Sequence, residues 1–172
     1  IELSTGSSTG QLSGSFKIAA GHSSGSESKG GSVRISSGSS ENVGGSVIVN
    51  AGIGEIAGGE ILMVTGSSQT ASSGSIKVST GSVIGESGSV AVNTGAASAG
   101  ESGSIDIQVG ESINDQSGSV QIQAGSSDKG NGGSINMRAG NSVESTGGNI
   151  AALTGGSKAG RSGSISIATG EA

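Results

Sequence analysis

A chain of 172 residues could form one ordinary domain, but 36 Gly, 39 Ser, one Phe and no Trp or Tyr leave only 30% hydrophobic residues, which excludes an ordinary globular composition. The net charge of −5, with eight thinly spread Lys and Arg and no aromatics to stack on bases, argues against a nucleic-acid partner. There is no Cys for a disulfide framework and no apolar run long enough to insert as a transmembrane helix.

A Gly/Ser-rich composition ordinarily signals a linker or a disordered tract. Two features oppose that reading: Pro is absent, and the Val and Ile recur at regular places. After Ile1–Gly6, "IELSTG", which has the form of the tail of a preceding unit, the phrase Gly-Ser-Ile/Val starts at Gly14 and recurs at Gly31, Gly45, Gly59, Gly74, Gly88, Gly103, Gly118, Gly133, Gly148 and Gly163. The spacing is about 15 residues. His22–Gly30, "HSSGSESKG", is the one longer insert and is expected to leave the repeat as a surface loop (residues 22–30). Gly163–Ala172 forms the head of a further unit, so residues 1–172 read as a single repeat domain and a segment of a longer array.

Within each unit the apolar residues alternate, the period of a strand and not of a helix. The third position holds Val33, Ile76, Ile105 or Ile135, and the fifth holds Ile35, Val78, Ile107 or Met137. The seventh is small, as at Thr65, Thr80, Thr94 and Ala124. A lone unit has too little apolar surface to offset the entropy of ordering itself, so the pattern predicts stacking. The expected fold class is all-β: a single β-solenoid, or parallel β-helix, of about 11 coils. Each coil would hold one Ile/Val-lined strand and a small-residue return strand, with inward Ser68, Val83, Ala97, Ser112, Ser127, Ser142 and Ser157. A left-handed or flat two-sided form fits the short coil best. Gly at both ends of each strand is expected to serve corners with positive φ.

Few residues invite chemistry. The 13 acidic residues concentrate in the return segments, for example Glu86, Glu101, Glu111 and Asp115, where stacking predicts solvated columns. Glu86 and Glu101 fall on adjacent coils and would repel or share a cation. Only Asp106, Asp115 and Asp128 are present as Asp, so the calcium-binding nonapeptide is missing. His22 is the sole His and opens the insert, without partners for catalysis or for a metal. "GSSTG" lacks the strand–helix context of a nucleophile elbow, and "GIGEIAG" at Gly52–Gly58 lacks the Lys and helix of a phosphate loop. The chain therefore reads as a non-enzyme with no cofactor.

The outward fourth and sixth positions are mostly polar, and amides such as Gln108 and Gln123 are expected to form a ladder between coils. Ile48, Leu62 and Val64, with Ile53 and Ile56 in the intervening return, break that rule and form a candidate contact patch. The phrase "SGSVAVNTGAASAGESGSIDIQVG" resembles the Gly/Ser-rich repeats of secreted or cell-surface proteins of unicellular algae and other protists. That resemblance implies an extracellular or cell-surface, repetitive structural protein without catalytic residues. The expected function is a rigid rod or filament segment, partnered by itself, head to tail or laterally, or by neighbouring repeats. An ice-binding solenoid is the alternative, weakened because the Thr65, Thr80 and Thr94 column points inward. A polysaccharide-binding adhesin module is the second alternative.

Overall fold

The computed structural model describes residues 1–10 and 12–170; Gln11 and the last two residues of the closing head, Glu171 and Ala172, lie outside it. Among the described residues there is neither helix nor strand. The all-β solenoid is therefore overturned, together with its coils, its strand and return strand and its handedness. None of the described residues is buried, and the chain exposes 17790 Å². A folded monomer of 16.1 kDa would expose roughly 7,400 Å². The third-position residues remain 50–60% exposed, from Ile135 to Phe16 and Ile150, and the fifth-position residues 62–94%, from Ile18 to Ile167.

What replaces stacking is closure within most units. Every backbone hydrogen bond among the described residues spans ten residues or fewer. Seven of these bonds share one form: the glycine that starts a unit donates its N–H to the carbonyl of the glycine that ended the preceding phrase. Gly45 donates to Gly38 at 2.9 Å, Gly133 to Gly125 at 2.9 Å and Gly148 to Gly140 at 3.0 Å. Bonds of this reach order a handful of residues at a time. Stacking would order whole units, each rich in glycine, and glycine loses the most backbone entropy on ordering. A face only two aliphatic side chains wide per unit does not offset that cost.

The chain divides into two units, Ile1–Gly88 and Ser89–Ala172. In the first, loops are pinched at Gly31, Gly45, Gly59 and Gly74; in the second, at Gly133, Gly148 and Gly163. Residues 22–30 lie in the longest of these loops. Its base is closed by Gly31 donating to Gly21 at 3.0 Å, and it is tightened by Ser28, whose N–H and Oγ–H both donate to the Gly25 carbonyl. Between these closures the backbone bends once per repeat, as at residues 113–115, 128–130, 143–145 and 158–160.

The two glycine columns do different work, and neither does the work the sequence suggests. No glycine among the described residues has positive φ. A Cβ added at the phrase-ending glycines, such as Gly66, Gly95, Gly125 and Gly140, would meet nothing within 4 Å. A Cβ added at a unit-starting glycine would lie within 4 Å of the seventh-position residue before it, in ordinary contact at Gly88 and Gly103 and more tightly at most others. It would lie 2.9 Å from Val109 Cγ1 at Gly118, 3.2 Å from Ala124 Cβ at Gly133 and 3.0 Å from Thr65 Cβ at Gly74. The unit-starting column is therefore glycine for reasons of space.

The two ends of each loop are also matched in sequence. Where the seventh residue is Ala or Ser (Ala20, Ser37, Ala51, Ala124, Ala139), the next unit-starting glycine follows another glycine. Where it is Thr or Val, as at Thr65, Thr94, Val109 and Thr154, that glycine follows serine. All five loops of the first kind carry the Gly–Gly hydrogen bond; of the six of the second kind, those at Gly74 and Gly163 do. A small seventh side chain lets the two backbones approach. A branched one stands nearer the glycine Cα, and the bond then forms in only two loops of the six.

Candidate functional site

Among the described residues there is no pocket, and no group of three metal-ligating side chains converges. The candidate carboxylates Glu86, Glu101, Glu111 and Asp115 are all exposed, as is His22 in the inserted loop. The Asp115 carboxylate accepts from the N–H of Gln116 at 2.8 Å, a local turn contact. In "GIGEIAG", Gly54 is required by its own loop: a Cβ there would overlap the carbonyl oxygen of Ala57. That close approach accounts for the glycine without any phosphate.

The serines expected to face inward from a return strand have another role. The Ser127 and Ser157 hydroxyls accept from the N–H of Gly130 and Gly160, at 2.9 and 2.8 Å. Ser142 accepts from Ser145, Ser68 from Ala71 and Ser112 from Asp115. These are short side-chain-capped turns, and they place the bend in each loop. Where the same position holds Val83, the side chain is 60% exposed. We expect Ser127→Ala to raise the exchange rate of the Gly130 amide about three- to tenfold, the loss of one neutral hydrogen bond. An unchanged rate would show that the hydroxyl does not hold the turn.

The amide ladder between coils is absent from the described residues. The side-chain amide bond present is within one unit, Gln121 Nε2 donating to Gln123 Oε1 at 3.4 Å. The seventh-position threonines are turned toward the glycines that follow them, Thr94 Cγ2 lying 3.4 Å from where a Gly103 Cβ would be. The Thr5 hydroxyl donates to the Gly14 carbonyl at 3.0 Å, and the Ser37 hydroxyl to that of Gly45 at 3.0 Å.

The patch residues Ile48, Ile53, Ile56, Leu62 and Val64 are exposed, Ile53 and Ile56 completely. They are not set apart from their surroundings, because Val49 and Met63 between them are nearly as open. The feature that distinguishes the surface is periodic. In every unit but one a third-position Val, Ile or Phe is the most shielded large apolar side chain of its phrase, yet half of it faces solvent; in the phrase at Gly103 the seventh-position Val109, 45% exposed, is more shielded than Ile105 at 52%. Sequence alternation locates these side chains. The pinched loops went unseen, although the pairing of Ala or Ser with Gly-Gly, and of Thr or Val with Ser-Gly, was a signal for them.

Comparison of the chain with protein-family models, with curated proteins and with solved structures finds no match.

Proposed function

We propose that this chain is a structural repeat segment of an extracellular or cell-surface assembly, joined through its recurring apolar phrases to copies of itself or to neighbouring repeats of a longer chain. One observation carries the reading: an aliphatic or aromatic side chain at the third position of every unit, between 50% and 60% of which its own chain leaves open. Apolar surface repeated at fixed spacing gains from association, because each unit adds a similar increment to a shared interface. Most loops set the intervening polar residues apart from those phrases, being closed on themselves by a glycine amide, as at Gly45 and Gly133, or held in a turn by a serine hydroxyl, as at Ser127. The likeness to Gly/Ser-rich surface repeats of unicellular algae and other protists supports the location. The structural reading is favoured over ice binding because the threonine column is engaged by the adjoining glycines and so offers no regular lattice-facing row.

Sedimentation velocity over a concentration series, with electron microscopy of the same samples, tests this. The expected outcome is reversible, concentration-dependent assembly into regular particles. A chain that stays monomeric throughout, or one that shows thermal hysteresis with faceted ice crystals, would overturn it.

A further inference from the structure

In the five loops that end in Gly-Gly, the pinch is donated by the second glycine: Gly31, Gly45, Gly59, Gly133 and Gly148. The N–H of the first glycine in each pair donates to nothing among the described residues. Four of these free amides follow Lys29, Val43, Ala57 and Thr146. The fifth, Gly132, follows Asn131, whose side-chain carbonyl carbon is the electrophile nearest along the chain to that nitrogen. Both residues are exposed, and the Asn131 amide makes no hydrogen bond among the described residues.

We propose that Asn131 is a site of self-modification, which water converts to isoaspartate or aspartate through a cyclic imide closed by the Gly132 nitrogen. The backbone N–H gives its proton to solvent base, and the nitrogen attacks Asn131 Cγ. The Cγ–Nδ2 bond breaks and the amide nitrogen leaves as ammonia. Water then opens the ring. Attack at the main-chain carbonyl leaves the nitrogen on Cγ and yields isoaspartate; attack at Cγ restores the ordinary backbone and yields aspartate. No enzyme or cofactor enters, and either product adds one negative charge.

The other asparagines lack this combination. Of eight in the chain, Asn131 alone precedes glycine, so only here does no Cβ shield the attacking nitrogen. Asn42, Asn50, Asn93, Asn136 and Asn149 precede Val, Ala, Thr, Met and Ile, and Asn141 precedes Ser. At Asn114 the following amide is also committed, the Asp115 N–H donating to Ser112 Oγ at 3.2 Å. There is no Asp-Gly step, so the related rearrangement of aspartate has no equally open place.

The loop makes the change consequential. Isoaspartate carries the main chain through Cβ and Cγ, adding one backbone atom inside the span that the Gly133 amide closes onto the Gly125 carbonyl at 2.9 Å. That closure is expected to loosen as the site converts, while the same closure at Gly148 does not.

The test incubates the full chain in mildly alkaline buffer and follows each asparagine by peptide mass spectrometry against the unincubated chain. Cleavage after Lys129 and Arg138 places Asn131 and Asn136 on one peptide, so the second is an internal control. Asn131 should convert at least about tenfold faster than Asn136, with isoaspartate as the larger product. Gly132→Ala is the decisive variant. Its Cβ would sit 3.8 Å from the Gly125 carbonyl oxygen, an ordinary contact, and the φ is not positive, so the loop should keep its closure. Conversion at Asn131 should nonetheless slow at least about tenfold. In converted parent chain the Gly133 amide should lose about three- to tenfold in exchange protection. Equal rates at Asn131 and Asn136, or a Gly132→Ala chain that converts as fast as the parent, overturns the site. Full protection of Gly133 after conversion overturns its effect on the loop. None of these readings depends on whether the chain assembles.

Discussion

Gly54→Ala is expected to open the loop between Gly52 and Gly59. The added methyl would occupy the space of the Ala57 carbonyl oxygen, and a backbone atom cannot swing aside as the end of a side chain can. The hydrogen bond from the Gly59 amide to the Gly52 carbonyl, 2.9 Å long, closes that loop and would be lost with the shift. A glycine replaced where its surroundings cannot admit a Cβ costs more than about 1 kcal/mol, so protection of the Gly59 amide should fall at least about fivefold. Gly133→Ala should behave similarly but less severely, because the methyl would sit 3.2 Å from Ala124 Cβ and 3.3 Å from the Gly125 nitrogen. Gly125→Ala has the opposite sign. Nothing lies within 4 Å of that Cβ and the φ is not positive, so alanine narrows the open ensemble and should favour closure by about 0.4–1 kcal/mol. Amide hydrogen exchange at Gly59 and Gly133 reads all three. Equal loss of protection in Gly54→Ala and Gly125→Ala would remove the steric distinction between the glycines.

The second large effect concerns association. In the variant carrying both Ile105→Asp and Ile135→Asp, the two half-exposed side chains become charged. In any pair of associated copies four such positions change, each removing about 1 kcal/mol of apolar burial, so assembly should weaken on the order of 1,000-fold. Neither residue belongs to a pinched loop, so the Gly133 and Gly148 amides should keep their protection. Ser104→Asp, at the polar neighbour, serves as the control and should change assembly by no more than a few-fold. Sedimentation velocity distinguishes the two. Assembly undiminished by the double substitution would show that the third positions are not what holds copies together.

The contrast between these two experiments reflects how the chain is organised. Closure is local and is governed by glycine, alanine and serine. Association, in the function proposed above, is intermolecular and would be governed by Ile and Val. The solenoid expected from the alternation merged the two, asking the same Ile and Val to order the loops and to bury one another. In the structure the loop at Gly133 is closed by its own amide and by Ser127, while Ile135 two residues later stays half open. Val83 shows the same separation from the other side: it replaces a turn-capping serine and gains no burial for being apolar.

The candidate site was legible to a corresponding extent. Residue type alone identified the third and fifth positions as the apolar face, and identified Ile48, Leu62 and Val64 as departures at outward positions. The serines at 112, 127, 142 and 157 were read by size, whereas the hydroxyl is the part that matters there, because a short oxygen acceptor reaches an amide two or three residues ahead.

By itself the sequence determined the repeat, the spacing of its phrases and the position of Val and Ile within each, because these depend on spacing along one chain. Only the tertiary structure decided that most units close on themselves instead of stacking, that no unit-starting glycine among the described residues has positive φ, and that the Val and Ile are left open. Those outcomes depend on a balance between short-range backbone bonds and the entropy of ordering glycine-rich units, and that balance is set by distances in space, which alternation along the chain does not encode.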